Sequence, residues 1–196
     1  MKFVKYVSLT IGILFLLGMT FYAYMGGFSK VEVKRETFGP VSVFVYPHKG
    51  PYKNLHQSWE KFQKLWEAVG ITECSSMAIY LDTPDTPEEN LRSILACRMD
   101  GLSVSQIKAV KSQLTTFEIP KSDSLTSSFP FRNVLSYFLA PTKVYPKFQE
   151  IISENKEETS VAIEVYGGSA QVVDTIKFYM PLGIKRDVFL ALGTLF

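Results

Sequence analysis

Apolar residues follow three rhythms along this chain. From Val7 to Phe28 they are nearly continuous (VSLTIGILFLLGMTFYAYMGGF), and no charged residue occurs between Tyr6 and Ser29. As a helix this run would be about 33 Å long at roughly 1.5 Å per residue, a match to a hydrocarbon core of about 30 Å. Next, Leu55, Trp59, Phe62, Leu65, Trp66 and Val69 recur at helical spacing, with Gly70 placed to end the helix. Elsewhere the pattern alternates. Strands are predicted over Val41–Tyr46, Met77–Leu81, Leu91–Met99, Thr115–Ile119, Leu125–Phe129, Val161–Tyr166 and Thr175–Met180. His48–Pro51 and Asp82–Pro87 are rich in turn residues. Val104–Lys111 reads as a short helix. Asn133–Ala140 and Thr142–Ser153 read as helix interrupted near Pro141 and constrained again at Pro146.

The order strand, helix, strand, strand is stated twice. Ser76–Tyr80 (SMAIY) resembles Ser160–Glu164 (SVAIE), and Gly50-Pro-Tyr52 resembles Phe129-Pro-Phe131. The expected fold is α+β. Duplicated strand–helix–strand–strand units form an antiparallel sheet with two helices on one face, preceded by one transmembrane helix.

Alternation also sorts the strand side chains by face. Val41, Val43, Val45, Met77, Ile79, Leu81, Val161, Ile163, Val165, Ile176, Phe178 and Met180 make an aliphatic set, expected beneath the helices. The opposite set contains Phe44, Tyr46, Ala78, Tyr80, Ala162, Glu164, Tyr166 and Tyr179. A solvated face would carry Lys, Glu and Thr; this one carries rings and a single carboxylate. Phe44, Tyr46, Tyr80, Tyr166 and Tyr179 around Glu164 predict a groove for a flat or cationic organic ligand, or for a protein partner. Rings supply apolar area and cation–π attraction, and the acid supplies charge. The other reading of this face is a second small core under loops or the tail.

Charge narrows the partners. Lys2 and Lys5 precede the apolar run, and the remaining basic and acidic residues balance. A neutral domain without a basic cluster is a poor match to a phosphate backbone, so nucleic acid is not expected. The same two lysines would suit the start of a secretory signal peptide. The apolar run exceeds the usual h-region of about 7–15 residues, and Ala23-Tyr-Met25 is a poor cleavage site, so an uncleaved single-pass anchor is expected. The expected organisation is an anchor over residues 1–28, meeting the lipid bilayer through residues 7–28, a domain over 29–183 and a short apolar tail over 184–196. Lys30, Lys34 and Arg35 balance the amino-terminal charges, which leaves the side of the membrane open.

Chemistry-bearing motifs are sparse. Two cysteines, Cys74 and Cys97, form no disulfide framework and no CxxC site, and read as structural thiols. His48 and His56 lack the companions of a metal site, and no cofactor is expected. Nucleotide-binding and hydrolase elbow motifs do not occur. The only catalytic alternative is Glu164 as acid or base beside Tyr80, Tyr166 or Tyr179, with its pKa raised by burial.

The residues His48–Tyr52, Ala78–Asp82 followed by Pro84, Phe129–Phe131, Lys143–Pro146, Ala162–Tyr166 and Tyr179–Leu182 together resemble the GyrI-like small-molecule-binding family. The resemblance runs from about Val31 to Leu182. It implies two repeated units facing across a groove, with a cation-binding acid at the position of Glu164; in hydrolase members the same acid would act. Within the family, the segments 79–84 and 129–152 are most similar to a membrane-anchored ER-phagy receptor. That likeness implies an adaptor in the endoplasmic reticulum membrane; a bacterial chain of this layout would sit in the cell envelope. The receptor's long acidic tail has no counterpart here; within the short apolar tail Phe189-Leu-Ala-Leu192 fits its aromatic-x-x-aliphatic pattern, with Asp187 upstream.

Overall fold

A computed structural model describes residues 2–83, 85–159, 161–168, 174–184, 187–193 and 195–196. Ser160 and Pro84, used in the repeat and motif expectations, lie outside the described residues. A long helix α1 (Lys2–Tyr24) leads into β1 (Lys34–Phe38), β2 (Val41–Lys49), α2 (Leu55–Ala68), β3 (Ser75–Tyr80) and β4 (Arg92–Arg98). Then come α3 (Val104–Gln113), β5 (Thr115–Ile119), β6 (Ser122–Pro130), α4 (Ser136–Asn155), β7 (Ala162–Gly168), β8 (Thr175–Pro181) and α5 (Asp187–Gly193).

Among the described residues the strands make one antiparallel sheet in the order β1-β6-β8-β7-β3-β4-β2-β5. The expected duplication is visible in that order. One half supplies β2, β3 and β4, the other β6, β7 and β8, and the halves join where β3 pairs with β7. The edge strands are exchanged: β1 pairs with β6 and β5 pairs with β2. The two arms cross where Gly39, at φ 77°, leaves room for the Pro120 carbonyl 2.7 Å from where a Cβ would stand. Any side chain there would collide with backbone.

The helices lie on the face opposite to the one expected. Directly paired residues share a face. Ala78 pairs with both Leu95 and Glu164, and Glu164 pairs with Phe178. The aromatic set is therefore on the helix side. There Phe62 and Trp66 of α2 pack on Phe44, Ala78, Leu95 and Cys97. Ala140, Val144 and Phe148 of α4 pack on Leu125, Phe129, Ile176, Phe178 and Met180. Most of the aliphatic set, from Val41 to Ile163, lies on the other face and is covered by Phe189 and Leu192 of α5. Two bulky surfaces were available, and the flat aromatic one took the helices while the aliphatic one took the tail. Strand β8 is also one residue out of the expected phase. Ile176, Phe178 and Met180 face α4, while Tyr179 faces the α5 side, its ring 4.4 Å from that of Phe38.

Other differences have local causes. α4 is one helix through Pro141 and Pro146, not two pieces. Burial of Ser136, Ala140, Val144 and Phe148 along one stripe outweighs the bonds the prolines remove. His48 is in β2 rather than in a turn; it is buried, with Nδ1 2.9 Å from Ser58 Oγ and Nε2 3.3 Å from the Pro51 carbonyl. Cys74 and Cys97 are disulfide-bonded, not free thiols, with Cα atoms 5.4 Å apart. Residue 97 pairs with Ser76, two positions beyond Cys74, so the bridge ties the entry of β3 to its neighbour.

Candidate functional site

The centre of the site is the junction of the two halves. In the β3–β7 pairing Ala78 faces Glu164 and Tyr80 faces Ala162. The two-fold that relates the halves therefore exchanges Tyr80 with Glu164. Each follows a small Ala on its strand, which leaves space above the sheet for the longer side chain.

Glu164 is 4% exposed. Tyr145, from α4, donates to its Oε1 at 2.7 Å, and Tyr166 donates to Oε2 at 2.8 Å. Tyr80 is 3.5 Å from the same Oε2 and 3.0 Å from the Tyr166 hydroxyl. Since Tyr166 directs its proton to the carboxylate, its oxygen is free to accept from Tyr80. A second ring of side chains closes the site. Tyr52 stands edge-on to Tyr80 at 5.0 Å, and Trp59 and Tyr137 stand edge-on to Tyr166 at 6.5 and 5.3 Å. Phe178 forms the floor under Tyr145 at 5.8 Å. The result is a closed aromatic cage beneath the helices rather than the open groove expected.

Burial pushes the Glu164 carboxyl above the usual carboxylate range, while the hydroxyls of Tyr145, Tyr166 and Tyr80 pull it back down. Burial, with the neighbouring carboxylate, drives the phenols of Tyr80, Tyr145 and Tyr166 well above their ordinary value. Tyr52, nearer the rim, is pushed up to about 12, first by burial and then by Asp82 and Glu164. Among the described residues no Lys or Arg forms an ion pair with Glu164. Without its own cation, the cage can hold a proton on Glu164 or accept a positive charge brought from outside.

Of the residues expected here, Glu164, Tyr80 and Tyr166 meet. Phe44 and Tyr46 share the face but pack on Phe62, at 5.5 and 5.7 Å. Their strand lies three spacings from β7, about 14 Å away. Tyr179 is on the other side of the sheet. Sequence reasoning missed Tyr145, Tyr52, Trp59 and Tyr137. Tyr145 lay inside the Lys143–Pro146 motif, and Trp59 inside the amphipathic helix; both were unavailable to a site expected on the helix-free face. Ser93 belongs to the same face, paired with Tyr80, and its buried Oγ has no hydrogen-bond partner.

No family model matches the chain, and no curated protein matches it. Solved structures do. The C-terminal domain of EcmrR is similar at a TM-score of 0.55 and 8% identity, over 79% of this chain and 99% of that one. An uncharacterized conserved protein from Listeria innocua is similar at 0.52 and 8% identity, over 83% and 98%. SAV2435, in a structure bound to tetraphenylphosphonium, is similar at 0.51 and 10% identity, over 77% and 93%. At such identities the likeness is one of architecture, and the architecture of this chain is the GyrI-like fold.

Proposed function

We propose that this chain is a membrane-anchored binding domain whose cage around Glu164 takes a lipophilic organic cation. One observation carries the reading: a buried carboxylate that receives only tyrosine hydroxyls and is walled by rings. Removing an anion from water costs several kcal/mol unless a counter-charge follows it. A lipophilic organic cation supplies that charge, and the rings supply cation–π attraction and apolar area. The tetraphenylphosphonium held by SAV2435, a protein of the same fold, is a ligand of this chemistry. Entry requires Tyr52, Trp59 and Tyr137 at the rim to swing aside, since the carboxylate is closed over.

The anchor in this proposal is α1. Val4–Tyr24 is long and apolar enough to cross a membrane, and none of its most apolar stretch is buried. The domain it carries runs through α5, which belongs to the core rather than to a separate tail. Phe189 and Leu192, the two defining residues of the candidate recruitment motif, are 0% and 3% exposed, which disfavours an adaptor role through that motif. The Cys74–Cys97 bond adds a side: disulfides persist in oxidising compartments, so the domain faces the lumenal or external side of its membrane.

Calorimetric titration of the full chain in detergent with tetraphenylphosphonium tests the site. Wild type is expected to bind, and Glu164→Gln to bind at least about tenfold more weakly. Affinity is expected to fall as pH drops through the raised Glu164 pKa, because the neutral acid no longer attracts the cation. Equal binding by the variant, or equal binding of the anion tetraphenylborate, would sink the charge role.

A further inference from the structure

The end of α1 is fastened to the domain. Met25 is buried, and Asn133 Nδ2 donates to its sulfur at 3.2 Å. Lys143 Nζ donates to the Gly27 carbonyl at 2.8 Å, and the Arg132 guanidinium lies 5.9 Å from the centre of the Tyr24 ring. Gly26 sits so close to β6 that a Cβ would be 2.8 Å from the Pro130 ring. These contacts fix where the helix meets the domain, and so fix which part of the domain is held nearest to the plane α1 enters.

That part is apolar. Val134, Leu135 and Phe138, at the start of α4, are 63%, 47% and 67% exposed. Val134 and Leu135 directly follow Asn133, so at about 3.8 Å per residue their backbone lies within about 8 Å of a residue touching Met25, the first residue after α1. Phe138 is about one further helical turn along, some 5 Å. Tyr24, the last residue of α1, and Phe28, four residues beyond it, are exposed as well. Arg132 and Lys143 hold the same joint through Tyr24 and Gly27, and basic side chains beside an exposed apolar patch suit the headgroup layer of a bilayer. In water, three large apolar side chains side by side have no compensation. At a headgroup–acyl boundary they do.

We infer that Val134, Leu135 and Phe138 insert into the interface of the same bilayer that α1 enters, so that the domain lies on the membrane instead of hanging from it. The inference rests on the reading of α1 as a membrane span. It explains an apolar patch that the ligand cage does not use, and it commits to lipid as the occupant because the patch is continuous with the exit of α1.

Depth measurement by spin labelling tests it. Both native cysteines are paired, so single introduced cysteines carry the label. The full chain is reconstituted in vesicles of phosphatidylcholine with a minority of phosphatidylglycerol. Labels are placed by Leu135→Cys, Phe138→Cys, Leu14→Cys within α1, and Val104→Cys, an exposed apolar position on α3. Relaxation by oxygen against relaxation by a water-soluble nickel chelate gives the depth. The labels at 135 and 138 are expected in the interface, more oxygen-accessible than the one at 104 and shallower than the one at 14. A deep label at 14 with labels at 135 and 138 as aqueous as the one at 104 would overturn the inference and leave the span standing. An aqueous label at 14 removes the span and the inference together.

Discussion

The two halves of the sheet share a scaffold and differ in what they do with it. In the first half α2 seals an aromatic core of Phe44, Phe62 and Trp66, and a disulfide pins the strands below. In the second half α4 covers a mixed core of Leu125, Phe129, Phe148 and Phe178, and reaches down with Tyr145 to a charge. At the two-fold itself the same position is Tyr80 on one side and Glu164 on the other. Symmetry thus accounts for the frame, and its violation at one residue accounts for the chemistry. A two-fold pair of carboxylates there would repel; a Tyr opposite a Glu carries no charge and donates to Tyr166, which in turn donates to the carboxylate.

Removing the bridge should show how much the first half depends on it. Cys74→Ala with Cys97→Ala frees a 23-residue separation and is expected to cost about 3 kcal/mol in chemical denaturation. The cage geometry, read by tetraphenylphosphonium binding under native conditions, should be little changed. A loss of binding equal to the loss from Glu164→Gln would mean that the halves are not separable in this way. Next in size is Tyr145→Phe, which deletes the 2.7 Å donor to the carboxylate. It is expected to destabilise the ionised form by about 2 kcal/mol, while Tyr80→Phe, at 3.5 Å, costs about 0.5 kcal/mol. Equal effects would show that the cage treats its two halves alike.

Smaller still is a pH effect. Because the folded pKa of Glu164 is raised, the folded chain holds this proton at pH values where the unfolded chain has released it. The contribution to stability is greatest below the ordinary carboxylate value and is lost as pH rises through the folded pKa. Glu164→Gln, which does not titrate, should remove that decline. Denaturation curves of both proteins across the carboxylate range measure it. A parallel pair of curves would show that burial does not disfavour the charge.

Much of the fold was legible because burial writes itself into spacing. The strands Val41–Lys49, Ser75–Tyr80 and Arg92–Arg98, the helix Leu55–Ala68 and the duplication all left a clear period. β1 did not: Lys34-Arg-Glu-Thr-Phe38 is an edge strand with one buried side chain, so it has no apolar rhythm to read. Which face carries the helices was also not legible, because both faces are apolar and alternation gives two sets without saying what covers either. The acid and two of its rings could be found because they alternate on strands. Tyr145 could not, since contact between a helix and a sheet depends on docking, not on period. The disulfide was hidden for the same reason: nothing in the sequence places Cys74 beside Cys97 until β3 pairs with β4.

The crossed arms set a limit on how this molecule can be divided. Because β1 completes the sheet of the second half and β5 that of the first, neither unit possesses all the hydrogen bonds of its own edge. A fragment ending after β4 would present β2 and β3 each with a bare flank and leave β1 without a neighbour. Such a fragment reaches a closed sheet only by finding a second copy of itself, as an intertwined pair. The covalent link through α3 turns that encounter between molecules into an event within one chain, and so frees the two copies to differ.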